Sequence, residues 1–247
     1  GQHAQSVLDR IVPGYYQRLS PQGALEQSTC CANTASEHAM MARLMVDSVA
    51  LWARQYQIDS FRFDLMGHQP KAAMLQVAQA ARRAAGRVVP LLGEGWNFGE
   101  VANAKRFVQA SQLSLGGSGI ATFSDRARDA IRGGGAGDNG ADLIRHQGYI
   151  NGLYYDPNAL GDATRTELLA ATDLVRVGLA GSIASYRLQT QDGTMRTLSS
   201  IDYAHQPPAT HRNREKWSIT SKTTTTKPCG TPTLSSCPKP PAAHNGP

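Results

Sequence analysis

Two acidic residues, Asp64 and Glu94, have the type and the setting that nucleophilic and acid–base chemistry needs. Asp64 ends the run 58–64, in which aromatic and β-branched residues alternate with polar ones, as in a strand. Arg62 lies two positions earlier, so on a strand the two side chains share a face, and the cation stabilises the Asp64 carboxylate. Turn residues follow at 67–70, which places Asp64 near the carboxyl end of its strand.

Glu94 follows a second apolar run, 88–93, which is typical of a buried parallel strand. Between the runs, residues 71–85 carry apolar side chains at helical spacing, and Gly86 is placed to end that helix. The order strand, helix, strand puts both acids at one edge of neighbouring parallel strands, which lie about 4.8 Å apart. Carboxyl groups placed in this way approach the separation of roughly 5–5.5 Å that retaining glycosidases use.

The flanking pattern predicts the helices that hold these strands. Thr34 and Glu37 have capping-box spacing and predict a helix that runs to about Tyr56, with a buried apolar stripe. The members of the stripe are Met40, Met41, Leu44, Met45, Val49 and Trp52. Further helices are predicted over 101–109, 124–132 and 164–179, and residues 1–33 are predicted to form a long loop.

Two stretches, Phe61–His68 and Gly93–Asn97, resemble the second and third signature regions of pullulanases, the α-1,6-specific debranching enzymes of glycoside hydrolase family 13. Three flanking stretches also resemble that family: Ile11–Tyr16, Ser28–Thr34 and Gly148–Leu153. The resemblance covers about residues 1–206. It implies an α/β fold in which this chain supplies about strands 4 to 6 of a (β/α)8 TIM barrel, with their helices.

The same resemblance implies a function in starch debranching and carbohydrate metabolism. Asp64 would be the nucleophile, and Glu94 the general acid/base, of a double displacement that cleaves α-1,6-glucosidic linkages with retention of configuration. The expected partners are α-glucans, namely pullulan, amylopectin and limit dextrins. The candidate substrate-binding residues are Arg62, His68, Trp96 and Asn97. Structural alternatives remain open: an ion pair for Arg62, a satisfied turn histidine for His68 and a core position for Trp96.

Metal and cysteine chemistry receive little support from residue spacing. His38 and His146 have no partners at metal-ligand spacing, so no metal site is predicted from the sequence. The chemistry implied by the resemblance requires no cofactor, although the family allows a structural calcium ion. Cys30 and Cys31 are adjacent, and adjacent cysteines rarely bond to each other, so we expect no disulfide between them.

The net charge of +6 belongs largely to the last part of the chain. Residues 207–247 hold six of the 25 basic residues, one of the 19 acidic ones and eight of the 13 prolines. We therefore predict two parts, a partial catalytic barrel domain over 1–206 and a disordered Pro/Thr/Lys-rich tail over 207–247. Because the resemblance stops where the composition changes, the tail is predicted to be a frameshifted reading. A nearly neutral domain argues against a nucleic-acid partner.

The start of the chain lacks both an initiator methionine and a basic signal region. The family's first signature region and the third catalytic acid of its fourth region are also missing. We therefore expect an internal piece of a longer enzyme that is inactive by itself. No apolar run is long enough to cross a membrane, and the full-length protein is expected to be extracellular, periplasmic or at the cell surface. The alternatives are a non-catalytic α-glucan-binding fragment and another hydrolase of the α-amylase family.

Overall fold

The structure is a computed structural model that describes residues 7–135, 138–158, 161–181 and 183–202, so the predicted tail lies outside the described residues. Within these ranges the α-helices are α1 (Val7–Ile11), α2 (Ala39–Gln55), α3 (Lys71–Ala85), α4 (Asp125–Arg132), α5 (Gly140–Arg145) and α6 (Arg165–Leu179). The strands are β1 (Phe61–Phe63), β2 (Leu91–Gly93), β3 (Ile120–Thr122), β4 (Arg187–Gln189) and β5 (Met195–Thr197). Short 3-10 helices cover Met66–His68, Gly99–Ala104 and Leu198–Ser200.

Strands β1, β2 and β3 form an open parallel sheet in sequence order. The register pairs Phe63 with Gly93 and Gly93 with Thr122, so the three strands end at the same level. Helix α3 connects β1 to β2 and gives the predicted strand–helix–strand unit. The carboxyl edge of this sheet therefore brings together the residues that follow Phe63, Gly93 and Thr122.

The main core lies between this sheet and helices α2 and α3. Met74, Val77 and Ala81 of α3 are buried against Leu91 and Ile120 of the sheet. Phe61 and Phe63 are partly buried against the same cluster, as expected for the strand face opposite Arg62. Each fully buried Leu or Ile contributes about 1.5–3 kcal/mol to folding, so this cluster fixes the sheet that carries the two acids.

Helix α2 differs from its prediction at its start and in its buried stripe. It begins at Ala39, and His38 occupies the N-cap position without a side-chain capping bond. The capping box predicted from Thr34 and Glu37 is therefore wrong, because the Glu37 carboxylate instead binds Arg18. Half of the predicted stripe is also wrong, since Met40, Leu44 and Trp52 are exposed whereas Met41 and Val49 are buried.

The helices predicted over 124–132 and 164–179 are confirmed as α4 and α6. A capping box does occur, but it lies at α6, where Thr164 and Glu167 bond to each other reciprocally. The predicted helix over 101–109 is wrong: a kinked 3-10 segment ends at Ala104, and Gln109 forms a β-bridge with Pro70.

A smaller core surrounds α6 and the hairpin of β4 and β5. Val177 of α6 packs with Leu188, Leu198 and Ile201, and α6 also packs against α4. In the described ranges, no helix is both long enough and apolar enough to cross a membrane.

Candidate active site

The candidate active site is a pair of carboxylates at the carboxyl edge of the parallel sheet, joined by one guanidinium group. Arg62 of β1 forms an ion pair with Asp64, the residue directly after that strand. Its Nη2 atom lies 2.9 Å from Oε1 of Glu94, which directly follows β2. The structure therefore brings together Arg62, Asp64 and Glu94, as the residue types and strand order predicted.

The two carboxylates differ in their surroundings. The Asp64 side chain is 75% exposed and lies on the open side of the sheet edge. Glu94 is 14% exposed, and its Oε2 atom accepts a 2.7 Å hydrogen bond from the backbone N–H of Leu65. An accessible carboxylate beside a shielded one is the asymmetry expected when one acid attacks a substrate and the other transfers a proton.

The turn after β1, residues 65–68, holds Glu94 in place. Leu65 has a left-handed backbone (φ 48°), and its N–H is the donor to the Glu94 carboxylate. Gly67 donates its N–H to the Glu94 backbone carbonyl at 2.9 Å. A side chain at Gly67 would overlap the Trp96 carbonyl oxygen and approach the Phe98 ring at 2.9 Å. The close approach of the two loops therefore requires glycine at this position.

Trp96 is half-buried, two residues beyond Glu94. The guanidinium carbon of Arg128 lies 5.1 Å from the centre of the indole ring, and Phe98 meets that ring edge-on at 5.8 Å. These contacts fix the ring plane, and a fixed aromatic plane can stack on the apolar face of a sugar. Asn97 bonds instead to the loop: its amide donates to Asn103 at 3.0 Å and accepts from the Asn103 N–H at 2.8 Å.

His68 is only 2% exposed, and its ring stacks on Phe98 at 4.7 Å. Its Nε2 atom lies 3.4 Å from the Thr29 hydroxyl, and its Nδ1 atom lies 3.6 Å from a carboxylate oxygen of Glu100. Burial lowers the pKa of His68 below its usual value and favours the neutral ring. This geometry gives the ring a packing role, and binding of a sugar hydroxyl by His68 stays a prediction.

An ionic network behind this turn, formed by the buried Arg18 with Glu37 and Glu100, was not predicted from the sequence. The Arg18 side chain, 1% exposed, binds both carboxylates and also donates to the His68 carbonyl at 2.8 Å. Although burial raises the pKa of Glu100, hydrogen bonds from Ser28, Arg18 and Asn33 lower it to about 2. The pairs are 19 and 82 residues apart in the sequence, so no local pattern signals them.

The loop that supplies Ser28 and Asn33 also contains a disulfide between Cys30 and Cys31. The expectation that these adjacent cysteines stay unbonded is therefore wrong.

Metal ligands do not cluster among the described residues, which contain no group of three or more His, Cys, Asp or Glu side chains that could hold an ion. The calcium ion implied by the resemblance finds no such ligand set in this part of the chain.

Comparisons with known proteins identify relatives of this chain. Models of protein families give no match to the chain. Pullulanase of Klebsiella aerogenes is 45% identical over 203 residues, covering 82% of this chain and 18% of that protein. Pullulanase 1, chloroplastic, of Arabidopsis thaliana is 42% identical over 225 residues, covering 83% of this chain and 23% of that protein.

Solved structures agree with the sequence relatives. The crystal structure of PulA from Klebsiella oxytoca matches with a TM-score of 0.76 at 42% identity, covering 85% of this chain and 20% of that one. The maltotriose complex of PulA from Klebsiella pneumoniae matches with a TM-score of 0.75 at 44% identity, covering 83% of this chain and 22% of that one. The chain thus spans about a fifth of the length of these relatives. Over that span, sequence and fold agree: the chain belongs to the pullulanase family.

Proposed function

We propose that this chain carries the two catalytic carboxylates of a retaining α-1,6-glucosidase that debranches starch-type glucans. The observation that supports this most directly is the sharing of Arg62 by Asp64 and Glu94 at the ends of adjacent parallel strands. In this proposal β1, β2 and β3 are about strands 4 to 6 of a (β/α)8 barrel, whose active site lies at the carboxyl ends of the strands.

The proposed reaction has two displacement steps. An Asp64 oxygen attacks the anomeric carbon, the glycosidic bond breaks, and protonated Glu94 gives its proton to the departing oxygen. Water then attacks the glycosyl ester while the Glu94 carboxylate takes a proton from it, which releases the sugar with retained configuration and frees Asp64. These side chains carry every proton and bond change, so the reaction calls for no organic cofactor.

The proposed substrates are pullulan, amylopectin and limit dextrins. Related structures hold maltotriose, an α-glucan, which supports a substrate of that class here. Within the site, Arg62 orients Asp64, and Trp96 offers the ring face that Arg128 does not cover as a platform for a sugar. His68 and Asn97 remain candidate substrate contacts, although the structure ties the first to Phe98 and the second to Asn103.

The catalytic pair is tested in a hybrid, defined as Klebsiella aerogenes pullulanase with its 203 matched residues replaced by those of this chain. Asp64→Asn should lower pullulan turnover by about 10³-fold or more, because the nucleophile is lost. Glu94→Gln should lower it comparably, yet retain most of kcat/KM for α-glucosyl fluoride, whose leaving group needs no proton. Its kcat on the fluoride should still fall, because hydrolysis of the glycosyl ester loses the Glu94 base. Asp59→Asn is the matched control, since Asp59 is an exposed acid paired with Arg87 just before β1.

Covalent labelling identifies the nucleophile independently. A 5-fluoro-α-glucosyl fluoride should trap a glycosyl ester on Asp64, which peptide mapping locates. Retention of most activity in Asp64→Asn, or a label on another residue, would contradict the assignment.

The open sheet favours a second candidate function, α-glucan binding without turnover. That candidate predicts amylopectin binding that is unchanged when both acids are replaced by their amides.

A further inference from the structure

All three nitrogens of the Arg18 guanidinium group donate hydrogen bonds inside the protein. Its Nε and Nη2 atoms bind the two Glu37 oxygens at 2.9 and 2.8 Å, and Nη1 binds Glu100 at 2.8 Å. Nη2 also donates to the His68 carbonyl at 2.8 Å. A planar fork with fixed donors suits such a site, whereas a lysine ammonium offers a single charged point. The group therefore has one geometry in which all its partners are satisfied.

The His68 carbonyl that Arg18 binds closes the turn 65–68. At its other end, the same turn donates the Leu65 N–H to Glu94 at 2.7 Å. In the middle, Gly67 donates to the Glu94 backbone and its carbonyl accepts from Gln109 at 3.0 Å. The turn thus lies between a buried cation and the candidate acid/base, and it is bonded to both.

The backbone conformation of Leu65 requires stabilisation by its surroundings. Its left-handed backbone is unfavourable for a residue with a branched side chain, and such conformations persist where the surroundings over-determine them. The Arg18 contact to the carbonyl of His68 is one of those determinants. When that contact loosens, the Leu65 N–H is free to turn away from the Glu94 carboxylate.

We infer that Arg18 is a positioning residue for Glu94, acting through the His68 carbonyl and the turn 65–68. This inference rests on the proposed function, in which Glu94 is the general acid/base. Arg18 itself is buried and does not touch the reacting atoms. Its effect therefore falls on proton transfer to the leaving group, and attack by Asp64 is affected much less.

Leaving-group dependence separates this role from a general loss of folding. In the hybrid, Arg18→Lys should lower kcat/KM on pullulan by about tenfold to a hundredfold, the scale of a displaced catalytic group. With α-glucosyl fluoride, whose departure needs no proton, the same change should cost less than about threefold. In a Glu94→Gln background the pullulan effect of Arg18→Lys should vanish, because coupled residues are not additive.

Arg106→Lys is the matched control. Arg106 also ties the amino-terminal segment to the loop after β2, by donating to the Leu19 carbonyl at 3.0 Å and to Glu26 at 2.6 Å. In the described part of the chain, Arg106 forms no hydrogen bond or ion pair with the turn 65–68. We expect its replacement to change kcat/KM equally on both substrates, by less than about threefold.

Hydrogen exchange in the 247-residue chain tests the same inference without turnover. Arg18→Lys should accelerate exchange of the Leu65 and Gly67 amides relative to Arg106→Lys, while amides of α3 stay unchanged. Equal protection of Leu65 in both variants would overturn the inference, as would an equal loss of kcat/KM on the two substrates. If the unsubstituted hybrid fails to debranch pullulan, the proposed function fails, whereas the exchange experiment still decides whether Arg18 holds the turn.

Discussion

Two arginines support the candidate site, and they differ in their exposure to solvent. Arg62 is partly exposed and pairs with Asp64 and Glu94 at the open edge of the sheet. Arg18 is buried and pairs with Glu37 and Glu100 behind the turn. Because solvent screens the first group of charges more strongly than the second, the two cations should differ in what they contribute to folding.

We predict that Arg18→Met lowers mainly the stability of the chain, whereas Arg62→Met lowers mainly the turnover of the hybrid. Arg18→Met leaves the shielded Glu100 carboxylate and the partly exposed Glu37 carboxylate without their cation and should lower the free energy of unfolding by about 3–5 kcal/mol. Arg62→Met removes partly exposed pairs and should lower it by less than about 1 kcal/mol, while reducing turnover of the hybrid by about 10²-fold. Urea unfolding of the 247-residue chain and kinetics of the hybrid measure the two effects. Equal destabilisation by both changes would contradict this account.

Acid should destabilise the chain in two stages. The pKa of His68 is lowered from 6.5 by burial, so the unfolded chain binds that proton first and stability starts to fall below about pH 6.5. The pKa of Glu100 is about 2 against an ordinary 4.5, so its contribution is complete above about pH 4.5 and is lost as the pH falls towards 2. With allowance for solvent screening, that loss is about 2 kcal/mol.

Variants assign the two stages. Glu100→Gln should flatten the decline of the unfolding free energy between about pH 4.5 and 2, and His68→Gln should flatten the stage that begins near pH 6.5. Urea unfolding across this range measures both. Other carboxylates titrate in the same acid window, so the difference from the unsubstituted chain is the quantity to compare. A Glu100→Gln curve parallel to the unsubstituted one would refute the role given to Glu100.

The contrast between the predicted and the missed residues has a physical cause. Asp64, Arg62 and Glu94 were predictable because strand alternation and parallel strand order determine where their side chains lie. Arg18 and Glu100 were not, since their partners come from loops whose paths follow no periodic rule. The role predicted for Glu37 was wrong, because a capping-box spacing was present but its carboxylate binds a stronger, charged donor, Arg18.

At the scale of elements, local signals predicted those helices whose ends are determined by their own residues. Helix α3 ends at Gly86 in the left-handed conformation, and α6 begins with a complete capping box. The segment 101–109 carried apolar spacing, but Asn103 and Ala104 adopt positive φ angles that end the helix early. Its path follows the bond of Glu100 with the distant Asn33 and the bond of Asn103 with the nearby Asn97, which periodicity does not report.

The packing of the turn 65–68 against the loop after β2 gives a prediction about Gly67. Gly67→Ala places a methyl group on the Trp96 carbonyl oxygen, so backbone must move, and we expect a loss of about 3 kcal/mol or more in unfolding free energy. Gly86→Ala is the control: its φ is +66° and no atom lies within 4 Å of the added methyl group, so the loss should be about 1 kcal/mol. Urea unfolding compares them, and equal losses would show that the two loops separate easily.

At the scale of the whole molecule, the described parallel sheet has three strands, whereas a closed barrel of this kind has eight. Strand β1 pairs with β2 alone and β3 with β2 alone, so each has one unpaired edge within the described residues. Sheet closure is what would hold a sugar between loops from several strands. We therefore predict that the 247-residue chain releases no reducing sugar from pullulan under conditions where the hybrid does. Debranching by the chain at a rate close to that of the hybrid would contradict this.

The last prediction concerns residues 207–247, which lie outside the described residues. We propose that they translate the gene in a shifted frame. The 203 residues matched by the Klebsiella aerogenes relative are close in number to the 206 that precede Pro207, where the prolines and lysines begin to accumulate. By resemblance, the family's fourth region, with its third catalytic acid in a His-Asp-Asn setting, is expected shortly after Tyr203.

The genetic code allows that region to be encoded in another reading frame of the bases that encode residues 207–247. Every threonine codon begins with AC and every lysine codon with AA, so reading Thr223–Lys227 two bases later gives the codon pattern NAC, NAC, NAC, NAA. That pattern permits His-Asp-Asn-Glu, and the residues Lys227–Thr231 then permit Thr-Leu-Trp-Asp. Resequencing the gene should reveal an inserted or deleted base near the Pro207 codon, beyond which the restored frame spells the missing acid. An intact frame with no alternative frame encoding His-Asp-Asn would end the idea, and 207–247 would then be a genuine part of the protein.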